Sequence, residues 1–280
     1  MLIIKWELAD KCNYRCSYCS EFNYGNKYSF PTLNDSINFI HSLPKKEILI
    51  VLSGGEPTLW HNFRVFSDHV KTQDHITLAS FTNASRKINW WNNNYNLCDA
   101  WEISYHWEYT NQNHIFDILD LLDKNSITSY LHCMFQQERI NDIKLLHNKF
   151  REKKYNYSMF ILKKIRQNIY TEDELLFCNY VNQLTLNFYR IARDTTGNII
   201  QTHRYPEQEN IKDITNFYNW KCNAGSDYLR IYHDKKVYSC GYKNDLLGTI
   251  NNFTILDSPT ICKQKNCSTF DEREVYKVCQ

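Results

Sequence analysis

The amino-acid sequence predicts an α/β fold in which βα units follow one another around a barrel-type parallel sheet. Three observations predict it. Strand-like and helix-like segments alternate through the first two-thirds of the chain at the spacing of repeated βα units. Ile48–Leu52 is an uninterrupted, β-branched apolar run, the pattern of a parallel strand covered on both faces. The polar motifs come immediately after predicted strands: a cysteine loop at Cys12–Cys19, then Gly54-Gly55-Glu56-Pro57, Phe81-Thr82-Asn83 and Ser104-Tyr105-His106. In a barrel those carboxyl ends open on one face, where active sites gather.

Leu2–Leu8 is the first strand, and the cysteine loop follows its end. Leu33–His41 fits a helix, with Pro31 before it and Thr32 as N-cap. Ile48–Leu52 is the second strand, His61–Val70 a helix and Ile76–Ser80 the third strand. Cys98–Ser104 is the fourth strand, Ile115–Leu122 a helix, and Ser126–Met134 the fifth strand. Arg139–Asn148 is helical, Tyr155–Leu162 a sixth strand and Glu172–Tyr180 a further helix. The crossovers should be right-handed.

After about residue 183 the pattern changes. Leu184–Ile191, Ile199–His203, Leu229–His233 and Lys236–Ser239 are short strand-like runs separated by Asp/Gly/Asn turns. The turn at Asp234-Lys235-Lys236 resembles a hairpin without the glycine that usually eases one. A principal domain over residues 1–205 and a smaller cysteine-bearing α+β domain over 206–280 are expected, within what a chain of 280 residues accommodates.

Composition narrows the function. A formal charge of +2, with no concentrated basic stripe, predicts neither a nucleic-acid nor an anionic-membrane partner. Lys5 and Glu7 interrupt the only apolar run near the start, and no stretch approaches the ~20 apolar residues that span a bilayer. With no secretion signal, eleven cysteines argue against a disulfide scaffold, and the eight clustered ones are better explained as metal ligands in a reducing cytoplasm. Cys98, Cys133 and Cys178, scattered among apolar residues, read as buried inert thiols.

Cys12, Cys16 and Cys19 form C-x3-C-x2-C directly after the first strand. Three thiolates this close can ligate three irons of a [4Fe–4S] cube and leave the fourth iron open to a chelating cofactor. A zinc knuckle would need a fourth ligand, and none stands nearby until His41. The run Cys12-Asn13-Tyr14-Arg15-Cys16-Ser17-Tyr18-Cys19, with an aromatic residue before the last cysteine, resembles the motif of the radical S-adenosylmethionine (AdoMet) enzymes. That resemblance implies an incomplete, TIM-type (β/α)6 barrel, which agrees with the strand count. It also implies that the open iron binds AdoMet and that electron transfer releases a 5′-deoxyadenosyl radical able to abstract hydrogen from substrate. Cys12, Cys16, Cys19 and His106 are the candidate catalytic residues.

Two glycines at a strand end permit close approach or positive φ, a carboxylate beside them can accept from an ammonium group, and proline stiffens the turn. Gly54, Gly55, Glu56 and Pro57 match the family's GGEP motif, whose implied role is contact with the AdoMet amino group. Ser80-Phe81-Thr82-Asn83-Ala84 stands where many relatives carry Thr-Asn-Gly, with alanine in the glycine position; Asn83 is a cofactor-binding candidate. Alternation puts Glu102, Ser104 and His106 on one face of the fourth strand. By resemblance Glu102 and Ser104 are candidates for the AdoMet ribose and carboxylate, while His106 stands nearer the mouth to touch substrate or pass a proton. Arg190 and Arg193 are candidates to pair with the AdoMet carboxylate or substrate anions.

In the last quarter, Cys222, a strand pair, Cys240-Gly241 and Cys262-x4-Cys267 follow the order of the auxiliary-cluster (twitch and SPASM) domains of that family. The resemblance implies four ligands to a second [4Fe–4S] cluster: Cys222, Cys240, Cys262 and Cys267. The last pair is spaced more widely than usual, and Lys235 stands where a glycine is common. Cys279 is a spare that could replace one of the late pair or remain free, and four thiolates also suit structural zinc. The resemblance further implies a flavodoxin- or ferredoxin-like electron donor. For the substrate it offers a small polar or carbohydrate-like molecule, or a precursor peptide. The cluster begins at residue 12, leaving no space for a leader-recognition domain before it, which tilts the expectation toward the small polar molecule. A non-enzymatic metal-binding module would leave Gly54-Gly55-Glu56-Pro57 without a purpose.

Overall fold

The computed structural model describes residues 1–19, 27–155, 157–161, 171–177, 190–193, 199–203, 216–243, 245–265, 267, 275 and 277–278. Six parallel strands lie side by side in chain order: β1 (Leu2–Glu7), β2 (Ile48–Ser53), β3 (Ile76–Thr82), β4 (Ala100–Tyr105), β5 (Thr128–Phe135) and β6 (Tyr157–Ile161). Between them run α1 (Leu33–Ser42), α2 (Phe63–Val70), a short α3 (Ile88–Asn92), α4 (Gln112–Lys124) and α5 (Ile140–Lys153). Each expected βα unit of this series is present, as in a partial TIM-type barrel. Among the described residues the sheet does not close on itself.

Local chemistry explains where these elements start. The Thr32 side chain accepts from the Asp35 N–H at 3.1 Å and caps α1, and Asn111 does the same for α4 through the His114 N–H at 3.2 Å. Alternation along the strands then builds two faces. Leu2, Ile4 and Trp6 of β1 turn to the helix layer, where Trp6 meets Phe39 and Phe66 edge-on at 5.0 and 5.9 Å. Ile48, Ile50 and Leu52 of β2 and Trp101 and Ile103 of β4 join the same core. The intervening residues, Lys5, Glu7, Phe81 and Ser104 among them, line a cavity on the opposite face. Cys98 and Cys133 are buried in the helix-side core, as expected of inert thiols; Cys178 lies outside the described residues.

Later strands are distributed in a way that local pattern does not reveal. β7 (Arg190–Arg193) and β8 (Ile199–His203) pair antiparallel in a second, five-stranded sheet with β9 (Lys221–Cys222), β14 (Thr260–Ile261) and β15 (Lys277–Val278). The strands between, β10 (Tyr228–Ile231), β11 (Lys236–Tyr238), β12 (Leu246–Thr249) and β13 (Asn252–Phe253), extend the first sheet instead, with β10 parallel to β1. Strands from either side of residue 206 thus share sheets, and the stretch containing that expected boundary lies outside the described residues.

At both turns where a glycine is common in relatives, another residue takes the glycine-like backbone. Lys235 takes φ +64° between β10 and β11, and Ala84 takes φ +54° after β3. Each carries a left-handed strain of about 1–2 kcal/mol that glycine would avoid. The hairpin and the turn expected at these positions form regardless, because β-ladder bonds on one side and the Ala84 N–H to Thr82 Oγ1 bond (3.0 Å) on the other hold them.

A candidate AdoMet and cluster site at the strand carboxyl ends

β1 ends at Glu7, and the chain continues through Ala9 and Lys11 into the cysteine loop. The turn after β2 seats that loop. Gly55 N–H donates to the Ala9 carbonyl at 2.8 Å and Glu56 N–H to the Lys11 carbonyl at 2.9 Å. A Cβ on Gly54 (φ +116°) would stand 2.5 Å from the Ala9 oxygen, and one on Gly55 would stand 2.2 Å from the Lys11 oxygen. The two glycines are therefore required by the close approach of the cysteine loop itself. They also line a cavity of about 530 Å³ together with Cys12, Cys16, Cys19, Asn83, Ser104 and His106. Eight positions singled out in the sequence, from four separate strand ends, meet in one space.

Glu56 is held inside the fold by four donors. Its carboxylate is fully buried and accepts from Thr58 N–H (3.1 Å), Thr58 Oγ1 (2.6 Å), Thr82 Oγ1 (2.9 Å) and Asn83 N–H (2.6 Å). Burial raises its pKa while these donors hold it down. The carboxylate thus ties the β2 turn to the end of β3, capping the short 3₁₀ turn Pro57–Leu59. Asn83, whose N–H it holds, turns its amide to Asn13 Oδ1 (3.0 Å) and Cys12 Sγ (3.7 Å). Glu56→Ala should lower folding stability by about 3 kcal/mol, since several donors lose a charged partner in a dry site. Urea unfolding of the metal-free protein reads this directly; an unchanged midpoint would mean that the buried bonds carry no net stability.

Glu102 is engaged by the neighbouring strand. It pairs with His132 of β5, beneath the Phe81 ring, which stacks on His132 at 5.6 Å. It does not line the cavity, whereas its strand neighbour Ser104 does. β7, which carries Arg190 and Arg193, belongs to the second sheet. Cavity-lining residues that pattern did not single out include Lys5, Glu7 and Arg230. Lys5 and Glu7 are two charges at alternate positions of an otherwise apolar parallel strand, a signal that was present in the sequence. Arg230 had no such signal, because it reaches the cavity only through the pairing of β10 with β1.

Arg230 and Glu7 form a buried ion pair, and His233 stands 3.5 Å from the other Glu7 oxygen. Arg230→Ala should destabilise the protein by about 3–5 kcal/mol because it strands the Glu7 carboxylate. The double variant Glu7→Gln/Arg230→Met should recover part of that loss. Equal, additive losses in a double-mutant cycle would show that the two side chains are not coupled.

Burial governs the electrostatics of the loop. It pushes the Cys16 thiol up to about 12, against a lowering hydrogen bond from Tyr18, and it raises Cys12. It drives His106 down to about 4, so the imidazole is neutral at physiological pH. His106 Nδ1 lies 2.6 Å from Tyr18 Oη. Three thiols on one cavity wall, two of them raised by burial, suit a metal-sulfur centre that would supply positive charge beside them.

The C-terminal cysteines also converge. Cys222 of β9, Cys240 after β11, and Cys262 and Cys267 after β14 line one small cavity with Ala224, Ser239 and Val275. Backbone bonds hold its rim: Cys262 N–H donates to the Trp220 carbonyl and Asn219 N–H to the Cys262 carbonyl, both at 2.8 Å. Cys222, Ala224, Tyr228 and Val275 form a small apolar cluster against Ile3 of β1. Cys279 lies outside the described residues.

The fold is that of the radical AdoMet enzymes, as the loop and glycine motifs led us to expect. SuiB of Streptococcus suis, solved with its precursor peptide SuiA, matches over 91% of this chain and 63% of its own, at 12% identity and a TM-score of 0.61. A structure of anSMEcpe with bound AdoMet and the Cp18Cys peptide matches over 90% of this chain and 78% of its own, at 13% identity and a TM-score of 0.58. Among curated proteins, GTP 3′,8-cyclase of Haemophilus influenzae is 35% identical over 88 residues, which is 30% of this chain and 26% of the cyclase. No protein-family model matches the chain. No helix among the described residues is long and apolar enough to cross a membrane.

Proposed function

We propose that this chain is a radical AdoMet enzyme. The observation that carries the reading is the meeting of Cys12, Cys16 and Cys19 with the Gly54-Gly55 backbone around one cavity at the carboxyl ends of β1 and β2. When bound there, a [4Fe–4S] cluster with one open iron supplies the electron that cleaves AdoMet and so starts hydrogen abstraction from a substrate. The chain's own residues do the rest. The three thiols ligate, and Gly54 and Gly55 present backbone to the AdoMet methionine moiety. Asn83 and Ser104 offer polar contacts, and Glu56 acts from behind by fixing Asn83. His106, neutral and inside the cavity, can accept a proton from an oxidised substrate. The Cys222, Cys240, Cys262 and Cys267 cavity holds a second [4Fe–4S] cluster, and a flavodoxin- or ferredoxin-like protein delivers the electron.

For the substrate, we favour a peptide segment over the small polar or carbohydrate-like molecule that the sequence suggested. Support comes from the two structural relatives reported above, both solved with peptides. The polar cavity wall of Lys5, Glu7 and Arg230 favours the small polar molecule as the second reading. The test is anaerobic: the reconstituted, reduced protein should release 5′-deoxyadenosine from AdoMet. A candidate peptide should raise that release and gain a mass change, and a panel of sugars and aminoglycosides should not. Absence of 5′-deoxyadenosine from protein carrying its iron would end the radical AdoMet reading; stimulation by sugars alone would reverse the choice of substrate.

A further inference from the structure

The turn between β4 and α4 touches the cysteine loop at three separate points. Tyr18 packs on His106 with Oη and Nδ1 2.6 Å apart. The Glu108 carboxylate accepts from the Ser17 N–H at 2.9 Å and from the Ser17 hydroxyl. Tyr109 stacks on Tyr14 with ring centres 4.7 Å apart and planes 18° apart. The turn is braced for this: Tyr109 and Thr110 N–H donate to the His106 carbonyl at 3.0 and 2.8 Å, and His106 N–H donates to Thr110 Oγ1 at 3.0 Å. Within the loop, Cys19 N–H donates to the Cys16 carbonyl at 3.0 Å. Tyr14 N–H also donates to Cys12 Sγ at 3.4 Å, and the Arg15 guanidinium to the Cys12 and Tyr14 carbonyls at 2.8 and 3.0 Å. The β4–α4 turn adds contacts from outside to the very residues that separate the cysteines.

We propose that Glu108 is a positioning residue that holds the cysteine loop in its ligating shape before any cluster binds. One carboxylate takes both the backbone and the side-chain donor of Ser17, the residue next to Cys16. It thereby fixes the peptide plane between the second and third cysteines, while the Tyr14–Tyr109 stack fixes the stretch between the first and second. A loop held this way need not be ordered by the metal, so cluster uptake is faster and loss slower. The role of the loop as cluster ligand rests on the reading above; the shape of the loop does not.

The experiment therefore has two arms, using the full chain with Glu108→Ala, Glu108→Gln and Ser17→Ala. In metal-free protein, amide exchange of residues 12–19 is measured by mass spectrometry. Glu108→Ala should exchange about tenfold faster there, the worth of a lost charged hydrogen bond, with α2 and β3 unchanged. Glu108→Gln, which keeps one acceptor oxygen, should restore most of the protection, and Ser17→Ala should fall between. In reconstituted protein, iron release to a chelator should follow the same order. Equal exchange in wild type and Glu108→Ala overturns the proposal, as does acceleration spread over the whole chain, since that is loss of fold and not of loop shape. Slow exchange that depends on Glu108 in a chain that takes up no iron would leave the positioning role standing and end the cluster reading.

Discussion

Replacing Cys12, Cys16 and Cys19 together by alanine is expected to remove about four irons per chain and to abolish reductive cleavage of AdoMet. The fold should survive. The loop lies beyond the end of β1, and the apolar face of β1 packs against α1 and α2 without it. Only Cys16 of the three is buried, so the stability cost should be small next to the complete loss of chemistry. Iron analysis and 5′-deoxyadenosine release measure both halves of the prediction. Undiminished cleavage in the reconstituted triple variant would mean that the electron enters elsewhere and that the loop has another purpose.

Alanine at both Cys222 and Cys240 is the second change with a large expected effect. Iron or sulfide held by the C-terminal cavity should be lost, about four further irons per chain, while the first centre keeps its own. The structural consequence should reach further than a separate domain would allow. Cys222 lies on β9 in the five-stranded sheet, and Cys240 follows β11 in the ten-stranded one. A centre bound by both ties the two sheets together, and metal that binds only the folded form adds its binding energy to stability. Amide exchange should quicken in both β9 and β10, and coupled turnover of the true substrate should stop while some uncoupled AdoMet cleavage continues. Mössbauer spectra of the first-cluster triple variant would show the second centre alone. Zinc in that cavity, or iron retained in the Cys222/Cys240 variant, would contradict the assignment.

Both expectations started from cysteine spacing, and the structure adds how the surrounding residues serve it. Glu56 is the clearest case. Its place in a GGEP motif implied a contact, by it and its neighbouring backbone, with the AdoMet amino group, and in the fold its carboxylate accepts from Thr58, Thr82 and Asn83. A buried carboxylate takes the donors that folding brings to it, and those on β3 come from 26 and 27 residues away. Alternation put Glu102 on one strand face with Ser104 and His106, and in the fold its carboxylate pairs with His132 on the next strand.

By itself the sequence determined the order of the βα units, the position of each polar motif at a strand's carboxyl end, and the glycines that the cysteine loop needs. These are local properties: a period of two or 3.6, a cap three residues from its acceptor, a turn next to its strand. Only the tertiary structure decided that β10 lies beside β1, that Arg230 meets Glu7 in the cavity, and that strands from either side of residue 206 share two sheets. Short strands such as β9 and β10 carry too few side chains to specify an edge by pattern. Their partners are chosen by which unpaired N–H and C=O groups the rest of the chain leaves exposed, and that becomes known only when the whole chain has packed.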